Sequence, residues 1–120
     1  MSETLQQLLR ERAADDSVGL KYADWQWTWR EYLLEAAAQA AALLSVADRS
    51  RPVHVGALLG NTPGILTQIA AAGLGGYVLC GINTTRRGPA LVADMRRSDC
   101  QILVTDGAHR ALLDGLDLEG

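Results

Sequence analysis

Three short apolar runs, spaced so that a helix fits between each pair, constrain this chain more than anything else in it. They occupy residues 53–59, 77–82 and 101–105. The first, continuously apolar, reads as a strand covered on both faces, the second as another buried strand and the third as a further apolar strand. After the first run comes Gly60-Asn61-Thr62-Pro63. Asn61 or Thr62 can cap a helix, and Pro63 suits its first turn, where the N–H that proline lacks is not needed. The spacing predicts a small-residue helix over 64–74, broken by Gly73, Gly75 and Gly76. After the second run, a polar loop (residues 83–88) leads to Pro89 and a helix ending near Arg97. Asp106 is placed to cap a last short helix ending near Leu113. Strands alternating with helices predict an α/β fold with a parallel sheet and right-handed crossovers.

The stretch before this alternation reads differently. Leu5, Leu8, Leu9 and Ala13 recur at helical spacing, with Thr4 or Ser2 as cap and Asp15-Asp16-Ser17 as terminator. Val18–Tyr22 and Trp25–Thr28 are rich in β-branched and aromatic residues and flank Ala23-Asp24, which predicts a hairpin. Thr28 with Glu31 three residues on is a capping-box pattern opening a helix over 29–47. Leu33, Ala36, Ala37, Ala40, Leu43, Leu44 and Ala47 form its apolar stripe, and the alanines admit a close neighbour.

Composition narrows the function classes. Hydrophobic residues make up 48% of the 120, enough for a core. A net charge of −3 gives no reason to expect a nucleic-acid partner. Residues 1–12 lack an apolar leader segment, and the longest apolar stretch contains Gln68 and several glycines, so neither a secretory signal nor a membrane span is expected. A cytoplasmic location follows as an expectation. Cys80 and Cys100 sit in apolar runs without disulfide or zinc spacing and are expected as buried, reduced thiols.

The stretch 51–106 resembles the front half of acyl-CoA synthetases of the adenylate-forming superfamily. The matching pieces are Asn61, Ala71 with Gly75 and Gly76, Ile82-Asn83, Arg87-Gly88 with Leu91, and the run from Ile102 to Thr105. Upstream, Trp29, Glu31 and Leu33 fall in register with the family's aromatic-x-Glu-Leu helix. Asn83, Arg87-Gly88 and Leu91 look closest to the branch handling long- and very-long-chain fatty acids, including mycobacterial FadD-type members that activate steroid-side-chain acids. The resemblance implies that residues 1–120 are the N-terminal portion of the large domain of a ligase. Such a ligase uses ATP, Mg²⁺ and CoA to convert a fatty or steroid-derived carboxylic acid, through an acyl-adenylate, to its thioester. The family's phosphate loop ending in Lys, its metal-binding Glu, its ribose-binding Asp and its C-terminal Lys have no counterpart here; the only lysine is Lys21. The expectation is therefore a truncated, inactive segment with no catalytic or metal-binding residues and with apolar surface that makes it self-associate. The alternative is a self-contained nucleotide-fold binding module.

Other motifs have ordinary explanations. Gly73, Gly75 and Gly76 follow a helix instead of opening one, so they mark a helix end and not a dinucleotide loop. Asn61-Thr62-Pro63 lies where open α/β sheets place ligands, though capping alone explains these residue types. Arg86, Arg87, Arg96 and Arg97 could bind phosphates but more simply pair with carboxylates such as Asp94 and Asp99. His54 and His109 have no partner at metal or triad spacing and are expected to be structural. Trp25, Trp27 and Trp29 alternate, which points to packing of one strand face in the core.

Overall fold

Helix α1 (Leu5–Glu11) starts where its cap demands: Thr4 Oγ1 accepts from Gln7 N and Gln7 Oε1 accepts from Thr4 N, both at 3.1 Å. The proposed alternative cap, Ser2, lies outside the described residues. The computed structural model describes residues 4–120, and the chain divides into two compact units.

The first unit combines residues 4–46 with Thr62–Gly76. Strands β1 (Val18–Tyr22) and β2 (Trp25–Thr28) form the expected antiparallel hairpin, turned tightly at Ala23 (φ 51°). The register slips between Val18 and Leu20, leaving Gly19 as the irregularity. Position 19 needs glycine, since a Cβ there would lie 2.6 Å from the Trp29 indole. Helix α2 (Trp29–Val46) opens on a capping box: Glu31 N donates to Thr28 Oγ1 (3.1 Å) and Thr28 N to Glu31 Oε1 (2.9 Å). Leu33, Ala36 and Ala40 are its buried residues, and α2 packs against α3 (Pro63–Gly75), which buries Ala70, Ala71 and Ala72. Alanines on both helices permit this approach. Ala37, expected on the stripe, is exposed because the contact face is narrower than the apolar one. Gly73 lets α1 come close: a Cβ there would sit 2.9 Å from Leu5 Cδ2 and 3.0 Å from Leu9 Cδ1. Gly76 (φ 74°) closes α3 in the left-handed conformation, its N–H donating to Ala72 O.

The tryptophan expectation fails at its outer end. Trp25 is 69% exposed and stacks only on Trp27, with centroids 6.4 Å apart. Trp29 belongs to α2, not to the strand, and packs against Gly19, Tyr32 and Arg12. The period of two therefore ends at Thr28, where the capping box starts a helix.

The second unit contains residues 47–61 and 77–120. Its parallel sheet has the order β4-β3-β5, from β3 (His54–Leu58), β4 (Val78–Gly81) and β5 (Ile102–Thr105). In β3, Val55, Gly56, Ala57 and Leu58 are all buried, as the continuous run requires. The run at 77–82 was expected to be equally covered. It forms an outer strand instead, with Val78 half exposed and Gly81 exposed, because only one neighbour pairs with it. Helix α4 (Gly88–Arg97) supplies Leu91 and Met95, which form a core with Leu58 and Ile82. Leu103, Leu112, Leu113 and Leu116 pack around it. The last helical turn (Arg110–Leu113) is 3₁₀. Cys80 and Cys100 are free thiols but only half-buried, a correction that follows from β4 and β5 being outer strands.

Glycines separate packing from propensity. Gly19→Val is expected to lower stability by about 1–3 kcal/mol through overpacking against Trp29, despite the β-propensity of valine. Gly81→Val, where an added Cβ meets nothing within 4 Å, is expected to raise it by up to about 1 kcal/mol. Urea unfolding of both variants gives the two signs.

Candidate functional site

Strand order locates the place to look. The chain leaves β3 for the neighbour on one side (β4) and then crosses to the other side (β5). Such a reversal opens a crevice beyond the carboxyl ends of the central strands, where open α/β sheets bind ligands. The carboxyl ends of β3 and β5 carry Gly60, Thr105, Asp106 and His109.

These residues are held by one another. Thr105 Oγ1 donates to Leu58 O (2.9 Å), tying the ends of β5 and β3 together. Asp106 then acts as a hub. Its Oδ1 accepts from His109 N (2.9 Å) and meets His109 Nδ1 at 2.7 Å, while its carbonyl accepts from Arg110 N (3.0 Å). Because a carboxylate can only accept, Nδ1 carries a proton and points it at Asp106, which leaves Nε2 facing away from the pair. Bonds from the His109 ring and backbone, with a further one from the Gly60 N–H, hold the Asp106 carboxyl below its ordinary range. Gly60 also makes room, since a Cβ there would come 3.3 Å from His109 Cε1. The His–Asp pairing was not anticipated; the i, i+3 spacing on a helical turn was the available signal. Chemically, the dyad can orient an imidazole toward a hydrogen-bond donor.

The other candidates resolve into structural roles. Thr62 is the N-cap of α3, yet its side chain makes no capping bond, and Pro63 alone shapes that end. His54 Nδ1 donates to Ser98 O (3.1 Å). Arg86 pairs with Asp94 (3.0 Å), Arg97 also approaches Asp94 (3.6 Å), and Arg96 lies 3.7 Å from Asp117. Arg87 donates to Thr84 O and Arg86 O. Asp99 takes Arg51 as its partner (3.3 Å) instead of one of the paired arginines. These are surface ion pairs of small individual worth. Lys21 is exposed on β1 and belongs to the other unit. Among the described residues, no group of three His, Cys, Asp or Glu is placed to hold a metal ion.

Over 115 residues, 96% of its length, the chain is 44% identical to a steroid-22-oyl-CoA synthetase of Rhodococcus jostii. The chain resembles a segment of acyl-CoA ligases almost from end to end. A medium/long-chain-fatty-acid–CoA ligase of Mycobacterium marinum is 40% identical over 95% of the chain. The chain spans about a fifth of the length of these curated relatives, 20% and 23%. Among solved structures, the anthranilate CoA ligase AuaEII bound to anthranoyl-AMP superposes with a TM-score of 0.81 at 20% identity, over 93% of this chain and 22% of that one. The adenylation domain AlmE of Vibrio cholerae, bound to glycyl-adenosine-5′-phosphate, gives 0.79 at 14% identity, over 97% and 22%. These superpositions show a shared fold, one with a helix, a hairpin and a parallel α/β sheet. No family model matches the chain.

The hub makes an acid-limb prediction. The folded Asp106 carboxyl is lowered relative to its unfolded value. Its stabilisation is therefore complete above the unfolded value and is lost as pH falls through the folded one. Asp106→Asn is expected to lower the urea midpoint at pH 7 and to shrink the difference between midpoints at pH 7 and pH 3. An unchanged difference would assign the acid limb to other carboxylates.

Proposed function

We propose that this chain is the N-terminal scaffold segment of an ATP-dependent acyl-CoA ligase acting on long-chain fatty acids or steroid-side-chain carboxylic acids. The observation that carries the reading is 44% identity, over nearly the whole chain, to a steroid-22-oyl-CoA synthetase. The identity to a fatty-acid–CoA ligase supports the same chemistry with a simpler acid.

In that reaction the acid's carboxylate attacks the α-phosphorus of ATP and pyrophosphate leaves. The CoA thiol then displaces AMP from the acyl-adenylate. A carboxylate is a poor acyl donor until AMP becomes the leaving group, and Mg²⁺ with oriented donors must offset the phosphate charge. Nothing in residues 4–120 offers that set. The polar side chains described at the sheet's carboxyl end are the Thr105 hydroxyl, bonded to Leu58 O, and a carboxylate and an imidazole bonded to each other. ATP, CoA and Mg²⁺ thus belong to the longer enzyme, and this segment's role is to hold a parallel sheet on which later residues are mounted. Among the described residues no helix is long and apolar enough to cross a membrane, and we place the enzyme in the cytoplasm.

The segment alone should self-associate. β4 and β5 each pair with one neighbour only, and Trp25, Leu34 and Val46 are 69%, 65% and 72% exposed.

Two measurements follow. The 120-residue chain should give no acid-dependent ATP–pyrophosphate exchange, whereas a polypeptide extended to the relatives' length should give exchange with a C22 steroid acid or a long-chain fatty acid. Exchange by the short chain would overturn the scaffold reading, and none by the long one would overturn the ligase reading. In light scattering the short chain should be larger than a monomer, and Val78→Lys, which charges the outer strand, should reduce that size.

A further inference from the structure

One pair of thiols in the second unit lies apart from the carboxyl-end cluster. Parallel register sets Cys80 of β4 beside Gly56 of β3, so both residues face the same side of the sheet. Cys100 reaches that spot from the loop between α4 and β5, entered through Asp99 at φ 54°. A Cβ on Gly56 would lie 3.0 Å from Cys100 Sγ. The side chain that Gly56 lacks is thus the space holding one thiol, and the adjoining strand carries the other. Both thiols also face the end of α4: Cys80 Sγ is 3.8 Å from Ser98 O and Cys100 Sγ is 3.6 Å from Met95 O. Carbonyls at a helix C-terminus carry partial negative charge, so they disfavour a bare thiolate and favour a cation. Burial, and then the neighbouring Cys100, push the Cys80 thiol up. Cys100 also lines a cleft of about 430 Å³ with Val92, Met95, Leu103 and Leu118, which provides a way in.

We propose that Cys80 and Cys100 form a two-thiolate site for a soft monovalent d¹⁰ cation, with Cu(I) as its representative. Two S–H bonds break and two S–Cu bonds form. Both protons pass to solvent, and no electron is transferred. Soft thiolates select such ions, and two suffice for linear coordination. Zinc would need further ligands. No group of three His, Cys, Asp or Glu placed to hold a metal ion is found among the described residues. This inference is independent of the ligase reading.

The test is an anaerobic titration of the reduced 120-residue chain with Cu(I) buffered by bicinchoninate. One ion per chain is expected, with both thiols protected together from iodoacetamide in peptide mass spectra. Cys80→Ser and Cys100→Ser should each weaken binding by more than about 100-fold, beyond what loss of an outer partner causes. Protection of one thiol or neither, half an ion per chain, or displacement by equimolar Zn²⁺ would overturn the site. The protection result uses the unsubstituted chain, so it stands whether or not the variants fold.

Discussion

The second unit depends on the pairing of β3 along both of its edges. Its backbone gives and receives hydrogen bonds on both sides, and four consecutive residues, Val55 to Leu58, are out of contact with water. A buried strand with an unpaired edge would leave peptide groups unsatisfied, at a cost of about 1–3 kcal/mol each. Pairing on both sides removes that cost and fixes the positions of β4 and β5. From this follow the core of Leu58, Ile82, Leu91 and Met95, the joining of the β3 and β5 ends through Thr105, and the seat of the Cys100 thiol against Gly56.

Much of this was legible because the signals were local. The capping box at Thr28 and Glu31 needs only a four-residue pattern, and it sets the start of α2 and the end of β2 together. The hairpin bounds, the proline-opened helices and the glycine at the end of α3 are of the same kind. What failed depended on neighbours distant in sequence. Nothing in residues 77–82 says which strands will flank them, so a run apolar enough for a central strand lies at an edge. Trp25 matches Trp27 in type and phase, yet no element covers it.

The candidate site was less legible than the fold. Asp106 was expected to cap a helix, and it does bind the backbone N–H of the following turn. Its side-chain partner, His109, becomes apparent only when the turn brings them together. Arg86, Arg96 and Arg97 read correctly as partners of carboxylates, but Arg87 bonds backbone carbonyls and Asp99 bonds Arg51, 48 residues away. Family resemblance supplied what residue chemistry could not, since a segment similar to part of the acyl-CoA ligases but without phosphate-handling groups looks, by its side chains alone, like any small α/β unit.

The α2–α3 contact carries one further consequence. A seam of alanines is nearly self-similar when slid along a helix by one turn, so apolar contact alone specifies the offset of the two helices weakly. In this seam Gln68, only 5% exposed, donates its amide to Gln39 Oε1, and Gln39 donates in turn to Glu35 Oε1 at 2.8 Å. Sliding either helix by a turn would strand that amide among methyl groups. The glutamine relay therefore acts as a detent: it adds little to the strength of the seam and sets which notch it rests in.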